Sequence, residues 1–147
     1  RRQRQMCIRD RYFTIDLGVE ATLSRFKLWH RLGNNVYKNH NIKTFEVWGS
    51  RNYKKGMQEN YWSEEWKNDW ELLGDYETFK PSGEDNPSVT NEDIAYAEAG
   101  FEFMVPIEKQ RVRYVRFAMK SNWSGSNALH ISEITFYGDD RINDINE

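Results

Sequence analysis

Short apolar runs that alternate with polar residues, separated by stretches rich in turn formers, constrain this chain more than any other feature. Phe13, Ile15 and Leu17 alternate with Thr14 and Asp16, Phe26 and Leu28 with Arg25 and Lys27, and Phe101, Phe103 and Val105 with Glu102 and Met104. Further runs cover Thr44 to Trp48, Glu71 to Glu77, Val112 to Met119 and Ile131 to Tyr137. A strand turns successive side chains to opposite faces, so each run can bury one face and wet the other. Many such runs at close spacing predict an all-β protein, built as a sandwich or barrel.

Two long interruptions break the pattern, Ser50 to Asp69 and Phe79 to Gly100. Loops of that length in a compact domain are usually functional or flexible. In the second, Thr90-Asn-Glu-Asp93 ahead of Ile94-Ala-Tyr-Ala-Glu-Ala99 predicts a short capped helix that Gly100 ends, because a Thr or Asn oxygen satisfies free amides of the first turn.

Four elements stand out, in this order along the chain: Phe13-Thr-Ile-Asp-Leu-Gly18, Val47-Trp-Gly-Ser50, Arg113-Tyr-Val-Arg-Phe117 and His130-Ile-Ser-Glu-Ile-Thr-Phe-Tyr-Gly138. Together they resemble the discoidin family, also called coagulation-factor C-type or galactose-binding-like domains. The finer likeness is to discoidin-like C-terminal modules of Bacteroidetes surface proteins encoded beside glycan-uptake genes. The resemblance implies an antiparallel jelly-roll β-sandwich, a binding role without catalysis, ligand loops at one end of the roll, and a place at the cell surface or outside the cell.

The front of the chain departs from that pattern. Arg1 to Asp10 matches, residue for residue, one reading frame of a transposase adapter used in preparing sequencing libraries, and the bases that end the adapter begin a codon that Arg11 satisfies. Residues 1–11 are therefore read as a non-native segment, 12–138 as the discoidin-like sandwich and 139–147 as a polar C-terminal tail. The other reading of the front is a genuine basic arm. On the adapter reading the N-terminal strand of the sandwich is missing, which exposes a strand edge, and any secretion signal lies upstream of the junction. In many discoidin-like domains the missing region contributes a structural calcium site, so calcium belongs to the intact domain, and no other cofactor is implied.

Without residues 1–11, five of the 21 Lys and Arg and one of the 23 Asp and Glu are lost, leaving 16 against 22 and a net charge of −6. That balance speaks against nucleic acid or an anionic membrane as partner, since both are drawn by clustered Lys and Arg. No apolar run approaches the roughly 20 residues that cross a bilayer. Cys7 lies in the front segment, so the domain has neither disulfide nor thiol chemistry. There is no Gly-x-Ser-x-Gly, phosphate-cradling glycine loop or His-Glu-x-x-His. His30, His40 and His130 are not at metal-ligand spacing, and no carboxylate pair is singled out for glycoside hydrolysis.

Aromatic residues are the surplus, with six Trp and eight Tyr. Trp29, Trp48 and Trp70 belong to strand runs and are expected to pack on the sheets; Trp62, Trp66 and Trp123 belong to loops. Successive connections in an antiparallel sandwich fall at alternate ends, so loops 31–41, 79–100 and 121–129 are expected to share one end. The candidate ligand site there comprises Arg31, Asn34, Tyr37, His40, Asn122, Trp123 and Asn127, with Asn35 and Ser124 beside them. Rings stack on the apolar faces of sugars while amides and a guanidinium bond hydroxyls, which suits a neutral or mildly acidic glycan. The same residues also serve as turn formers and core caps. Tyr61, Trp62 and Trp66 form a second candidate surface at the other end. The expected function is a noncatalytic carbohydrate-binding or adhesive module, its partners a glycan or cell-surface ligand and the other domains of its parent chain. Two alternatives stand beside it: a spacer that contacts proteins in a surface assembly, and an accessory domain of a glycoside hydrolase.

Overall fold

The structure is a computed structural model that describes residues 2–3, 6–8, 12–31, 36–38, 41–51, 65–106, 109, 111–125 and 129–139. Its strands are β1 (Arg2–Gln3), β2 (Met6–Ile8), β3 (Tyr12–Trp29), β4 (Ile42–Ser50), β5 (Glu71–Glu77), β6 (Phe101–Met104), β7 (Val112–Asn122), β8 (Leu129–Ile131) and β9 (Glu133–Asp139), with one α-helix, α1 (Asn91–Ala99). All pairings are antiparallel. The strands lie in the order β1-β9-β3-β7-β4-β5, β6 also pairs β3, and β2 pairs β8. This is an all-β antiparallel sandwich of the galactose-binding-like kind.

The two apolar runs at 13–17 and 25–28 are one continuous strand of 18 residues. Its first half pairs β7, with Phe13 opposite Phe117 and Ile15 opposite Val115; its second half pairs β9 and β6, with Phe26 opposite both Phe136 and Phe103. β3 therefore belongs to both sheets. The change of partner falls where the registers shift, between Asp16 and Ala21 and between Leu23 and Arg25. Gly18 supplies the bend with φ of 84°, a region that side chains with a Cβ disfavour.

The motifs quoted above meet at this bend. The Asp16 carboxylate accepts the Gly18 amide at 2.8 Å and the Arg113 guanidinium at 3.0 and 3.2 Å, and Arg116 donates to Thr14 at 2.8 Å. Arg116 is fully buried, its guanidinium 4.5 Å from the Tyr12 ring and 4.4 Å from the Trp70 ring. In the Val47-to-Ser50 element, a Cβ on Gly49 would stand 2.5 Å from the Val112 side chain, so only glycine lets these strands approach.

The core is largely aromatic. Phe26, fully buried, has the rings of Phe45, Tyr76, Phe103, Phe117 and Phe136 around it at centroid distances of 5.2 to 6.3 Å. Trp29 and Trp48 lie half-buried on sheet faces, and Trp70 is buried.

One expectation needs correction. The edge that a missing front strand would expose is paired: Arg2 and Gln3 lie opposite Thr135 and Ile134, and Met6 to Ile8 opposite Ile131 to Leu129. Ladder hydrogen bonds use backbone groups that every residue except proline carries, so pairing here does not require a particular native sequence.

α1 is capped as its sequence predicts but begins earlier, at Asn91. Thr90 accepts from the Asp93 amide while the Asp93 carboxylate accepts from the Thr90 amide. Asp93 also accepts from the amide and hydroxyl of Ser82, tying the helix to the preceding loop. Burial of this carboxyl acts to raise its pKa, but the four hydrogen bonds outweigh it and hold the group at about 2.

Candidate functional site

The connections leaving β3, β5 and β7 meet at one end of the sandwich, which brings Tyr37, Trp123 and the loop after Glu77 together. Between them lies a cleft of about 330 Å³. Tyr37 and Trp123 form its aromatic walls and Lys38 and Lys80 its basic groups; Glu84, Asp85, Asn86, Pro87 and Val89 form the facing loop. A second hollow of about 280 Å³, between Leu17, Val19, Ala21 and Leu23 on one side and Phe136 to Gly138 on the other, has no charged lining group. Convergent polar groups on a partly apolar wall mark the first as the candidate site.

Both rings are fixed from below. Trp123 donates its indole N–H to Thr78 Oγ1 at 3.0 Å, its ring meets Tyr37 edge-on at 5.1 Å, and the Lys43 ammonium lies 4.8 Å from its centroid. Tyr37 is buried, with φ of 55°, and its hydroxyl donates to the Phe79 carbonyl at 2.6 Å. Burial, helped by the charge of Asp93 and by Tyr96, raises the Tyr37 phenol pKa, so the group stays a donor. Beneath it His30 is fully buried and holds two backbone groups: Nε2 lies 3.0 Å from the Ile42 carbonyl, and Nδ1 accepts the Tyr37 amide at 3.4 Å. With Nδ1 as acceptor, Nε2 carries the proton and the ring is neutral. Desolvation lowers its pKa from 6.5 to about 4, against the opposing effect of the Ile42 carbonyl.

The facing loop is clamped by a lysine. Lys80 is buried at 6% exposure and donates its ammonium to the carbonyls of Asn86 and Ser88, which answers the cost of removing a charge from water. Glu84 lies 3.9 Å from Lys43 and hydrogen-bonds Glu77, whose pKa is raised first by that bond and then by burial. Among the described residues no group of three or more His, Cys, Asp or Glu is placed to hold a metal ion. No helix among them is long and apolar enough to cross a membrane.

Of the site residues expected from sequence, Tyr37 and Trp123 are brought together at the cleft. The exposed Arg31 is held through its backbone, its amide donating to Asn41 Oδ1 and its carbonyl accepting from Asn41 Nδ2. Asn122 is buried and shapes the turn, accepting from the Ser124 amide and hydroxyl. Asn34, His40 and Asn127, and from the second surface Tyr61 and Trp62, lie outside the described residues; the backbone of Trp66 lies in a 3-10 turn, Glu65–Asp69. The sequence reading missed Lys38, Lys80 and the 84–89 wall. The crowding of Pro81, Ser82, Gly83 and Pro87 around charged residues was the available signal for a shaped loop.

Solved structures share this fold. A SusE-like protein aligns with a TM-score of 0.77 at 36% identity, over 87% of this chain and 46% of its own length. A chitobiase fragment from Bacteroides thetaiotaomicron aligns at 0.56 and 18% identity over 90% of this chain and 63% of its own. The C-terminal domain of a chitobiase from Bacteroides fragilis aligns at 0.51 and 15% identity, over 89% and 64%. This chain thus spans under half the length of the SusE-like protein and under two thirds of either chitobiase piece. No curated protein matches it. A family match runs across residues 5–138, and by it the chain belongs to DUF5000, a family described as a domain of unknown function.

Proposed function

We propose that this chain is a noncatalytic, discoidin-like carbohydrate-binding module of a bacterial surface or secreted protein, and that it holds glycan in the cleft between Tyr37, Trp123 and the 84–89 loop. The observation that carries this reading is the cleft itself: aromatic walls and side chains able to donate and accept hydrogen bonds converge at the loop end of a β-sandwich. The likeness to a SusE-like protein supports it. Lys38 and Lys80 balance Glu84 and Asp85, so the cleft suits a neutral or mildly acidic sugar. Lys43 covers one face of Trp123 and must swing aside for a sugar to stack there, which its flexible stem permits. Arg31, Asn34, His40 and Asn127 are proposed as further ligand-binding residues, with other domains of the parent chain as further partners.

The other reading, a protein-contacting spacer, draws on one fact: Trp123 is pinned by Thr78, Tyr37 and Lys43 as a core cap would be. A glycan array separates the two. Selective binding is expected, abolished by Trp123→Ala and weakened by about tenfold or more by Lys38→Ala, which removes an exposed side chain and leaves the melting temperature unchanged. Silence across a broad array, from protein shown to be folded, would favour the spacer.

A further inference from the structure

Phe79 and Tyr96 are 56% and 42% exposed, and among the described residues they are the large aromatic side chains classed with the exposed apolar ones. They touch each other, with ring centroids 5.3 Å apart and planes at 66°. An exposed Phe79 beside a buried Lys80 inverts the usual arrangement. The inversion follows from the backbone: Thr78 and Lys80 turn inward, to the Trp123 indole and to the Asn86 and Ser88 carbonyls, and the alternation sends Phe79 out.

The pair adjoins the cleft, since Phe79 directly precedes Lys80 of its lining. Tyr37, which lines the cleft, donates its hydroxyl to the carbonyl of Phe79. Beneath the surface, rings link the two places through the core, from Tyr96 to buried Phe101 at 5.8 Å, Phe101 to Tyr37 at 5.9 Å and Tyr37 to Trp123 at 5.1 Å, so both rest on one rigid aromatic base. Tyr96 is carried on α1, whose first turn is fastened through Thr90, Asp93 and Ser82.

Size and surroundings select the occupant. An aromatic side chain has roughly 150–250 Å² to bury, so the half-exposed pair offers about 200 Å². A stable protein partner covers about 800 Å² on each side. Among the described residues the other exposed large apolar side chains, Val19, Leu72 and Met104, lie on other elements. Two ring faces meeting at an angle, rimmed by the Tyr96 hydroxyl, match the C–H face and hydroxyl edge of one sugar ring.

We propose that Phe79 and Tyr96 form a second sugar subsite beside the cleft, so that the domain recognises an extended oligosaccharide and not a single terminal sugar. This rests on the glycan-binding reading above. The test is calorimetric titration with mono- to tetrasaccharide series of N-acetylglucosamine, galactose, glucose and mannose, on the wild-type chain, Phe79→Ser, Tyr96→Ser and the double variant. For the series that binds, affinity is expected to rise about tenfold or more with chain length. The double variant is expected to lose that gain while keeping monosaccharide affinity and melting temperature. A gain that is absent, or that survives the double variant, overturns the subsite and leaves the cleft standing. Failure of folded wild-type protein to bind any member overturns both.

Discussion

Replacing Phe26 by alanine is expected to destabilise the sandwich by about 4 kcal/mol, the scale for deleting a fully buried phenyl ring and leaving part of its volume empty. The effect is large because Phe26 contacts rings from both sheets: Phe103 and Phe136 on the strands beside it, Phe45, Tyr76 and Phe117 across the interior. Those five cannot all close on the gap, since each is anchored in a different strand or register. Against a typical domain stability of about 5–15 kcal/mol, such a loss is a major fraction. Urea unfolding checks it: the midpoint should fall with the slope unchanged. A loss below about 1.5 kcal/mol, the range of tolerated core swaps, would show that the rings repack.

Acidification from pH 6.5 to about 4 is expected to remove roughly 3 kcal/mol of stability through His30 alone. Its imidazole takes a proton near 6.5 in the unfolded chain and near 4 in the folded one. The contribution is therefore complete above 6.5 and is lost as the pH falls toward the folded value, because the unfolded state binds the proton first. Asp93 acts below that range: with its pKa lowered from 3.8 to about 2, its contribution is complete above 3.8 and is lost toward 2. Denaturant midpoints at a series of pH values, for wild type and His30→Gln, separate the two groups. The Gln variant should be less stable at neutral pH and lose most of the slope between 6.5 and 4, leaving what carboxylates such as Glu77 contribute. An unchanged slope in that variant would mean that another group titrates.

Much of the fold was legible because its signals are local. Period-two alternation located the strand runs, and Thr90 and Asp93 announced the capped helix, since both depend on neighbours a few residues away. The continuity of β3 was hidden because its two apolar runs are separated by a stretch without alternation, where Gly18 supplies a bend and not an end. At the site, the loop order brought Tyr37 and Trp123 to one end. Side-chain direction in the connecting loop could not be read in the same way. Hydropathy assigns Phe79 inward and Lys80 outward, and the structure reverses both, because the ammonium answers carbonyls supplied by Asn86 and Ser88. His30 was equally opaque: its partners, the Ile42 carbonyl and the Tyr37 amide, are set by the closing of a loop and not by any motif.

β3 also has a consequence for synthesis. Phe13 lies opposite Phe117, and Phe26 opposite Phe136, so the strand made early is flanked by strands made last. A nascent chain therefore carries Phe13 and Ile15 without their β7 partners, and Phe26 and Leu28 with only β6 beside them, until most of the domain has left the ribosome. Non-local strand pairing of this kind is slow, because loop closure is entropically unfavourable until the contacts form. In that interval the incompletely paired apolar edge is open to aggregation, so the C-terminal strands protect the strand made early as well as completing the core.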